Sequence, residues 1–162
     1  VIIGILSAIA IPSFQNASKK AKQSGAAAQI GTYIKAAQAF YSEFGMPVQN
    51  AGSLANYMNV VECNYHLISY CKSTNNQRDI GVAYPASRAW NSTSGLYTLT
   101  MRSSDNNRFR LNALPQRQDI GLRQAYSYDD YGVSGCFNYS TGATKIILWK
   151  KLGYREVKDL NC

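Results

Sequence analysis

The start of the chain constrains the fold more than any other part. Residues 1–11 contain no charge, and Pro12 follows them directly. Eleven helical residues cover only about 16 Å, whereas a membrane-spanning helix needs roughly 20 apolar residues. The first residue is Val1 and not methionine. We therefore expect the sequence to begin inside a longer apolar helix, with roughly ten more residues upstream to complete a span.

An amphipathic helical pattern follows this apolar run. Three lysines separate the two segments: Lys19, Lys20 and Lys22. Apolar residues then recur at the spacing of one helix face, which indicates packing on a core: Ile30, Tyr33, Ile34, Ala37, Phe40, Tyr41 and Phe44. Gly45 and Pro47 are typical of a helix end. The pattern predicts one helix from residue 1 to about residue 44.

This helix resembles the N-terminal helix of type IV pilins and pseudopilins, in which an apolar run ends in a GIL-A-IAIP motif followed by an aromatic residue. The resemblance rests on the string GILSAIAIPSFQNASKKAKQSGAAAQIGTYIKAAQAFY. The resemblance covers residues 1–45, and the amino-acid sequence of its second half is most similar to that of cyanobacterial pilins. The family's processing site, methylated first residue and N-terminal acidic residue would lie upstream of Val1, so none of them is carried over.

The resemblance implies an α+β fold in which the long N-terminal helix packs on a four- to five-stranded antiparallel sheet, the type IV pilin fold. Residues 1–24 would protrude as an apolar segment, and residues 25–162 would form the globular domain. The residues expected to mediate filament assembly are Val1, Ile2, Ile3, Gly4, Ile5, Leu6, Ile9, Ile11, Pro12 and Phe14. Pro12 removes a helical hydrogen bond and Gly4 weakens the helix, so Gly4–Pro12 is the softest stretch. The resemblance implies that this stretch can lose helical structure in the filament.

The implied function is structural. Copies of the subunit would polymerise through the apolar helix into an extracellular type IV pilus that serves adhesion, twitching motility or DNA uptake. Before assembly the subunit would sit in the inner membrane and depend on the pilus assembly machinery. The alternative is a pseudopilin or minor pilin of a type II secretion or competence system.

The four cysteines form an even set, which in an exported protein indicates two disulfides. Of the three pairings, the most local one costs least loop-closure entropy: Cys63–Cys71 and Cys136–Cys162. The second bond would also supply the disulfide-closed C-terminal loop that the resemblance implies. A zinc site is disfavoured because no CxxC spacing occurs and His66 is the only histidine.

Strand patterns begin after the first helix. Runs rich in β-branched and aromatic residues, bounded by turn residues, predict strands at 80–84, 96–102, 108–114, 136–139 and 145–150. The second and third should pair as a hairpin, and the last two as another. A short helix is predicted near residues 53–58 in an otherwise loop-like region.

Catalysis and metal binding have little support in the sequence. His66 has no acid or nucleophile at a useful spacing, and no phosphate-binding or nucleophile motif occurs. Asp119, Asp129 and Asp130 are more typical of turns than of a calcium loop. We therefore predict no enzyme activity, no metal and no cofactor.

The chain is basic, with 17 Lys and Arg against nine Asp and Glu and a formal net charge of +8. One hypothesis is that filaments bind DNA or anionic polysaccharide through Lys145, Lys150, Lys151, Arg155 and Lys158. The alternative interpretation is an ordinary solvated surface. Asn91-Ser92-Thr93 and Asn138-Tyr139-Ser140 match the N-glycosylation pattern, which is poor evidence by itself.

Overall fold

The protein is described by a computed structural model, which covers residues 2–64, 70–102, 107–116, 131–150, 160 and 162. Side chains are described from residue 16 onward, except that of Lys150. The described chain contains one long N-terminal helix and a five-stranded antiparallel sheet. The predicted α+β class is therefore confirmed.

Helix α1 runs without a break from Ile2 to Phe44. At 1.5 Å per residue its 43 residues measure about 64 Å. The helix continues through Pro12 and ends at Gly45, whose φ of +63° is readily adopted only by glycine. Gly45 N donates a 2.9 Å hydrogen bond to the Tyr41 carbonyl, which closes the last turn. The predicted extent is confirmed over the described residues.

The main sheet is a meander, in which each strand pairs with its neighbour in sequence. Its strands, in spatial order, are β3 (Ala89–Asn91), β4 (Tyr97–Arg102), β5 (Arg108–Pro115), β6 (Tyr131–Asn138) and β7 (Thr144–Lys150). Both predicted hairpins, β4–β5 and β6–β7, are confirmed. A separate two-stranded sheet pairs β1 (Val61–Cys63) with β2 (Gln77–Asp79).

The core lies between α1 and one face of the main sheet. Gly135 of β6 sits directly beneath the helix, and a Cβ there would lie 2.3 Å from Ile30 Cγ2. The helix stripe supplies Ile30, Tyr33, Ile34, Ala37 and Phe40 to this core. Phe44 departs from the prediction because it is 46% exposed. The buried stripe therefore ends about one turn before the helix does.

One strand prediction was wrong. Residues 80–83 form a short helix, α3 (Ile80–Ala83), instead of a strand. Asp79 precedes this helix, and its Oδ1 accepts a hydrogen bond of 3.3 Å from Val82 N, which is a typical N-cap. A helix α2 (Ala51–Ala55) begins two residues before the short helix predicted near residues 53–58, and Asn50 is its N-cap.

The structure contains two disulfides, and their pairing is compatible with that expected from the sequence. Cys63 pairs with Cys71 at a Cα–Cα distance of 5.4 Å, and Cys136 pairs with Cys162 at 6.1 Å. Both distances lie in the range that a disulfide spans. Since Cys63 and Cys71 are bonded to each other, neither is available as a thiolate for zinc.

Candidate functional site

The described side chains nearest the start of α1 face solvent. We call residues 2–22 the stem. Its described side chains, from Asn16 to Lys22, are exposed, except that of Ser18, which is half-buried. Among the side chains that the structure describes, the first buried one of α1 is Gln23, which is 5% exposed. Contact between these described side chains and the sheet therefore begins at Gln23.

The expected assembly residues lie in this stem. Ile2, Ile3, Gly4, Ile5, Leu6, Ile9, Ile11, Pro12 and Phe14 all belong to the continuous helix α1. Val1 lies outside the described residues. Their role in assembly stays a prediction, and what the structure adds is one unbroken helical backbone from these residues into the globular part.

Gln23 fastens the helix to the sheet at the point where the stem departs. Its Nε2 donates hydrogen bonds of 2.8 Å to the Gly132 carbonyl and 2.9 Å to the Trp149 carbonyl. These two carbonyls belong to register partners on β6 and β7. Sequence reasoning missed Gln23, although it lies seven residues before Ile30 and so continues the buried helical stripe.

At this end of the sheet, β6 accommodates the indole of Trp149 from the neighbouring strand β7. A Cβ on Gly132 would lie 2.1 Å from Trp149 Cζ2, so glycine is required where the indole crosses β6. The Trp149 Nε1 donates a 3.1 Å hydrogen bond to Ser134 Oγ. The indole is buried. Gln23, Gly132, Ser134 and Trp149 together form the junction between stem and globular part.

The proposed basic ligand surface is described only in part. Lys145 is exposed on β7, which is an edge strand of the sheet. Lys150 ends β7, but its side chain is outside the described set, as are Lys151, Arg155 and Lys158. The structure therefore does not test whether these five residues form one surface.

Strand register brings together basic residues that the sequence analysis did not connect. Arg102 pairs with Arg110, Arg110 pairs with Cys136, and Cys136 pairs with Lys145. These four positions form one row across β4, β5, β6 and β7, so their side chains share a face of the sheet. The row was missed because it depends on the pairing of all four strands.

The acidic residues within the described ranges all make structural contacts. Glu62 is buried and forms a 2.5 Å ion pair with Arg78, while its Oε2 accepts from Asn91 N at 3.2 Å. Asp79 caps α3, and Glu43 accepts a hydrogen bond from the Tyr57 hydroxyl. The described surface is therefore basic, with exposed lysines and structurally engaged carboxylates.

Two of the clefts that the described residues line are open to solvent. One has a volume of about 580 Å³ and includes Arg78 and Tyr84, whose ring centre lies 4.5 Å from the guanidinium carbon. The other, of about 420 Å³, is lined mainly by apolar residues including Phe40 and Met46. Over the ranges that the structure covers, no three His, Cys, Asp or Glu side chains are grouped to hold a metal ion. His66, Asp119, Asp129 and Asp130 lie outside those ranges.

The asparagine of each glycosylation motif is engaged in hydrogen bonds, and Asn91 is half-buried. Asn138 is 6% exposed, and its Oδ1 accepts hydrogen bonds from Ser140 N and Thr141 N. Asn91 is also engaged, because its Nδ2 donates to the Cys63 carbonyl and its Oδ1 accepts from Gln116 Nε2. Both amides serve the fold and are not positioned as surface acceptors.

Tyr139 packs inside the protein and does not belong to an exposed aromatic surface. Its hydroxyl accepts a 3.0 Å hydrogen bond from Val48 N, and its ring contacts Tyr41 and Phe137. Burial raises the pKa of Tyr139 to about 12, although the hydrogen bond from Val48 opposes this shift. The tyrosine therefore fastens the loop after α1 to the end of β6.

No helix among the described residues has a segment both long and apolar enough to cross a membrane. Comparisons with protein-family models, with curated proteins and with solved structures find no match. The function of the chain is therefore inferred from its residues and their geometry.

Proposed function

We propose that this protein is the structural subunit of a type IV pilus and that its α+β architecture is the type IV pilin fold. Helix α1 is the observation that carries the proposal. It is about 64 Å long, and its described side chains are buried only from Gln23 onward. Residues 2–18 of the helix carry no charge. A single helix thus joins an apolar stem to a globular head.

The apolar residues at the start of the stem must be shielded from water. Leaving a large aliphatic side chain in water costs about 1.5–3 kcal/mol relative to burying it. The sequence from Ile2 to Phe14 contains six Ile or Leu residues, namely Ile2, Ile3, Ile5, Leu6, Ile9 and Ile11. In the proposal, lipid covers these residues before assembly, and the stems of neighbouring copies cover them in the filament. A repeated contact that does not close on itself produces an open helical fibre.

The head is suited to an exported subunit. Two disulfides brace it, one linking β1 to the 3₁₀ helix Tyr70–Lys72 and the other linking β6 to Cys162. The contacts of Gln23 and Gly135 hold α1 against the sheet. The head therefore moves with the upper half of α1 as one packed unit, while Gly4 and Pro12 place the softest helical stretch in the stem.

Electron microscopy of fibres sheared from cells, with mass spectrometry of their subunit, tests the proposal directly. Leu6→Glu places a charge in the stem, and we expect it to abolish fibres without unfolding the head. Lys72→Glu is the control, because Lys72 is exposed on the head. Normal fibres built from the Leu6→Glu chain would contradict the proposal. Fibres that contain only trace amounts of this chain would favour the minor pilin or pseudopilin alternative.

A further inference from the structure

Three exposed lysines lie along one side of the stem between its apolar run and the head. Lys19, Lys20 and Lys22 are all exposed, and at 3.6 residues per turn they span about 160° of the helix circumference. Lys19 follows Phe14 by about 8 Å along the helix axis. We call these three residues the lysine collar.

The helix supplies no acidic residue near this collar. The first acidic residue of the chain is Glu43, which lies about 36 Å from Lys19 along α1. Glu43 is also engaged by the Tyr57 hydroxyl. No Asp or Glu of α1 lies one turn from any collar lysine.

We propose that the lysine collar binds the anionic headgroups of a phospholipid bilayer. The proposal rests on the membrane-inserted stage of the proposed function and adds the lipid class that this stage requires. When the apolar run enters hydrocarbon, the adjoining lysines reach the depth of the phosphates. In this arrangement the aliphatic part of each lysine side chain lies along the helix, and the ammonium group extends to the headgroups.

A bilayer fits the collar better than a nucleic acid does. The collar and the apolar run lie on one continuous helix, so a partner that binds the lysines also meets the uncharged residues beside them. A lipid surface accommodates both, through hydrocarbon and phosphate in adjacent layers. A nucleic acid would satisfy the lysines alone and leave the apolar residues in water.

Vesicle flotation with the full 162-residue chain tests the proposal. The vesicles contain either phosphatidylcholine alone or one part phosphatidylglycerol to two parts phosphatidylcholine. The collar variant combines Lys19→Gln, Lys20→Gln and Lys22→Gln, which preserves helix propensity. The matched control removes three exposed basic residues that lie outside the collar and outside the proposed basic ligand surface, and it combines Lys35→Gln, Lys72→Gln and Arg88→Gln. Circular dichroism establishes that both variants fold.

The collar variant should lose most of its preference for anionic vesicles. Each lysine near such a surface strengthens binding about five-fold, so three lysines contribute up to about 100-fold, and salt should reduce the effect. The control and the unmodified chain should bind alike. Equal loss in the control, or no loss in the collar variant, would overturn the proposal. Loss of binding to a double-stranded DNA fragment without loss of vesicle binding would assign the collar to nucleic acid instead.

This result is separable from filament formation. Vesicle binding is measured on unassembled chain, and fibre formation is measured by electron microscopy on cells. A chain that binds anionic vesicles through the collar but forms no fibres would refute the filament and leave the lipid site standing. Fibre formation with no collar effect on vesicles would refute the lipid site alone.

Discussion

The side-chain amide of Gln23 donates a 2.9 Å hydrogen bond to the main-chain carbonyl of Trp149, which joins helix α1 to the edge strand β7. The same amide reaches the Gly132 carbonyl on the neighbouring strand. One side chain thus ties the helix to two strands at the point where the stem leaves the globular part. Although Gln23 is polar, we therefore expect its buried side chain to contribute to the free energy of unfolding.

We expect Gln23→Ala to destabilise the protein by about 1–3 kcal/mol, because it leaves two buried carbonyl groups without this donor. Urea denaturation followed by tryptophan fluorescence measures the change, since both Trp90 and Trp149 are buried. Ser24→Ala, at the exposed neighbouring position, is the control and should change stability little. Equal stability of the two variants would show that the amide contributes nothing.

Gly135→Ala should destabilise the protein by about 1–3 kcal/mol or more, because its methyl group would overlap Ile30 at 2.3 Å. Gly25→Ala is the matched control, since a methyl group there meets nothing within 4 Å. It should instead stabilise α1 by up to about 1 kcal/mol through helix propensity. Thermal unfolding of the two variants should therefore shift in opposite directions, and a shift in the same direction would contradict the packing argument.

Tyr139 should make the free energy of unfolding fall at alkaline pH. Its pKa is about 12 in the folded state and 10.0 in the unfolded reference, so folding favours the neutral phenol. This contribution is complete below about pH 10 and is lost as pH rises towards 12, by up to about 1.4 kcal/mol per pH unit. Tyr139→Phe removes the titration, and its stability should fall less steeply over this range.

The measurement compares the free energy of unfolding near pH 9 and near pH 11 for both chains. Tyr139→Phe should be less stable near pH 9, because Val48 N loses its acceptor. Tyr70→Phe, at an exposed position, should keep the alkaline slope of the unmodified chain. An unchanged slope in Tyr139→Phe would show that other tyrosines account for the effect.

The two disulfides should contribute unequally. Cys136–Cys162 has a sequence separation of 26 and Cys63–Cys71 one of eight, and a longer closed loop restricts the unfolded chain more. Replacing Cys136 and Cys162 together by alanine should cost about 2–4 kcal/mol and reduce fibre yield. Replacing the other pair is the comparison. Peptide mapping without reductant that found Cys63–Cys162 or Cys71–Cys136 would contradict the pairing.

The sequence predicted the elements whose periodicity is long or regular. Helix α1 has a repeating apolar stripe. The runs that form β4 and β5 are bounded by turn residues, which predicted both strands and their hairpin. β6 begins at Tyr131, five residues before the predicted start, because Gly132, Ser134 and Gly135 lack the side chains that mark a strand. These residues are small because the helix and an indole lie close to them, which only the assembled fold reveals.

The candidate site also has a part that the sequence predicts and a part that it does not. The apolar run and the lysines that follow it can be read directly from the sequence. The junction at Gln23 cannot, because its partners are backbone carbonyls on residues more than 100 positions away. The segment 80–84 was mistaken for a strand because a few apolar residues fit either structure, and Asp79 decides for the helix by capping it.

Among the described strands, β7 lies at an edge of the sheet, and edge strands can exchange between neighbouring copies of a protein. The bond between Cys136 and Cys162 closes a covalent ring that contains all of β7. Such a ring tethers both ends of the β7 segment to β6 and restricts how far the strand can move away from its own sheet. Oxidation should therefore disfavour exchange of β7 between neighbouring copies.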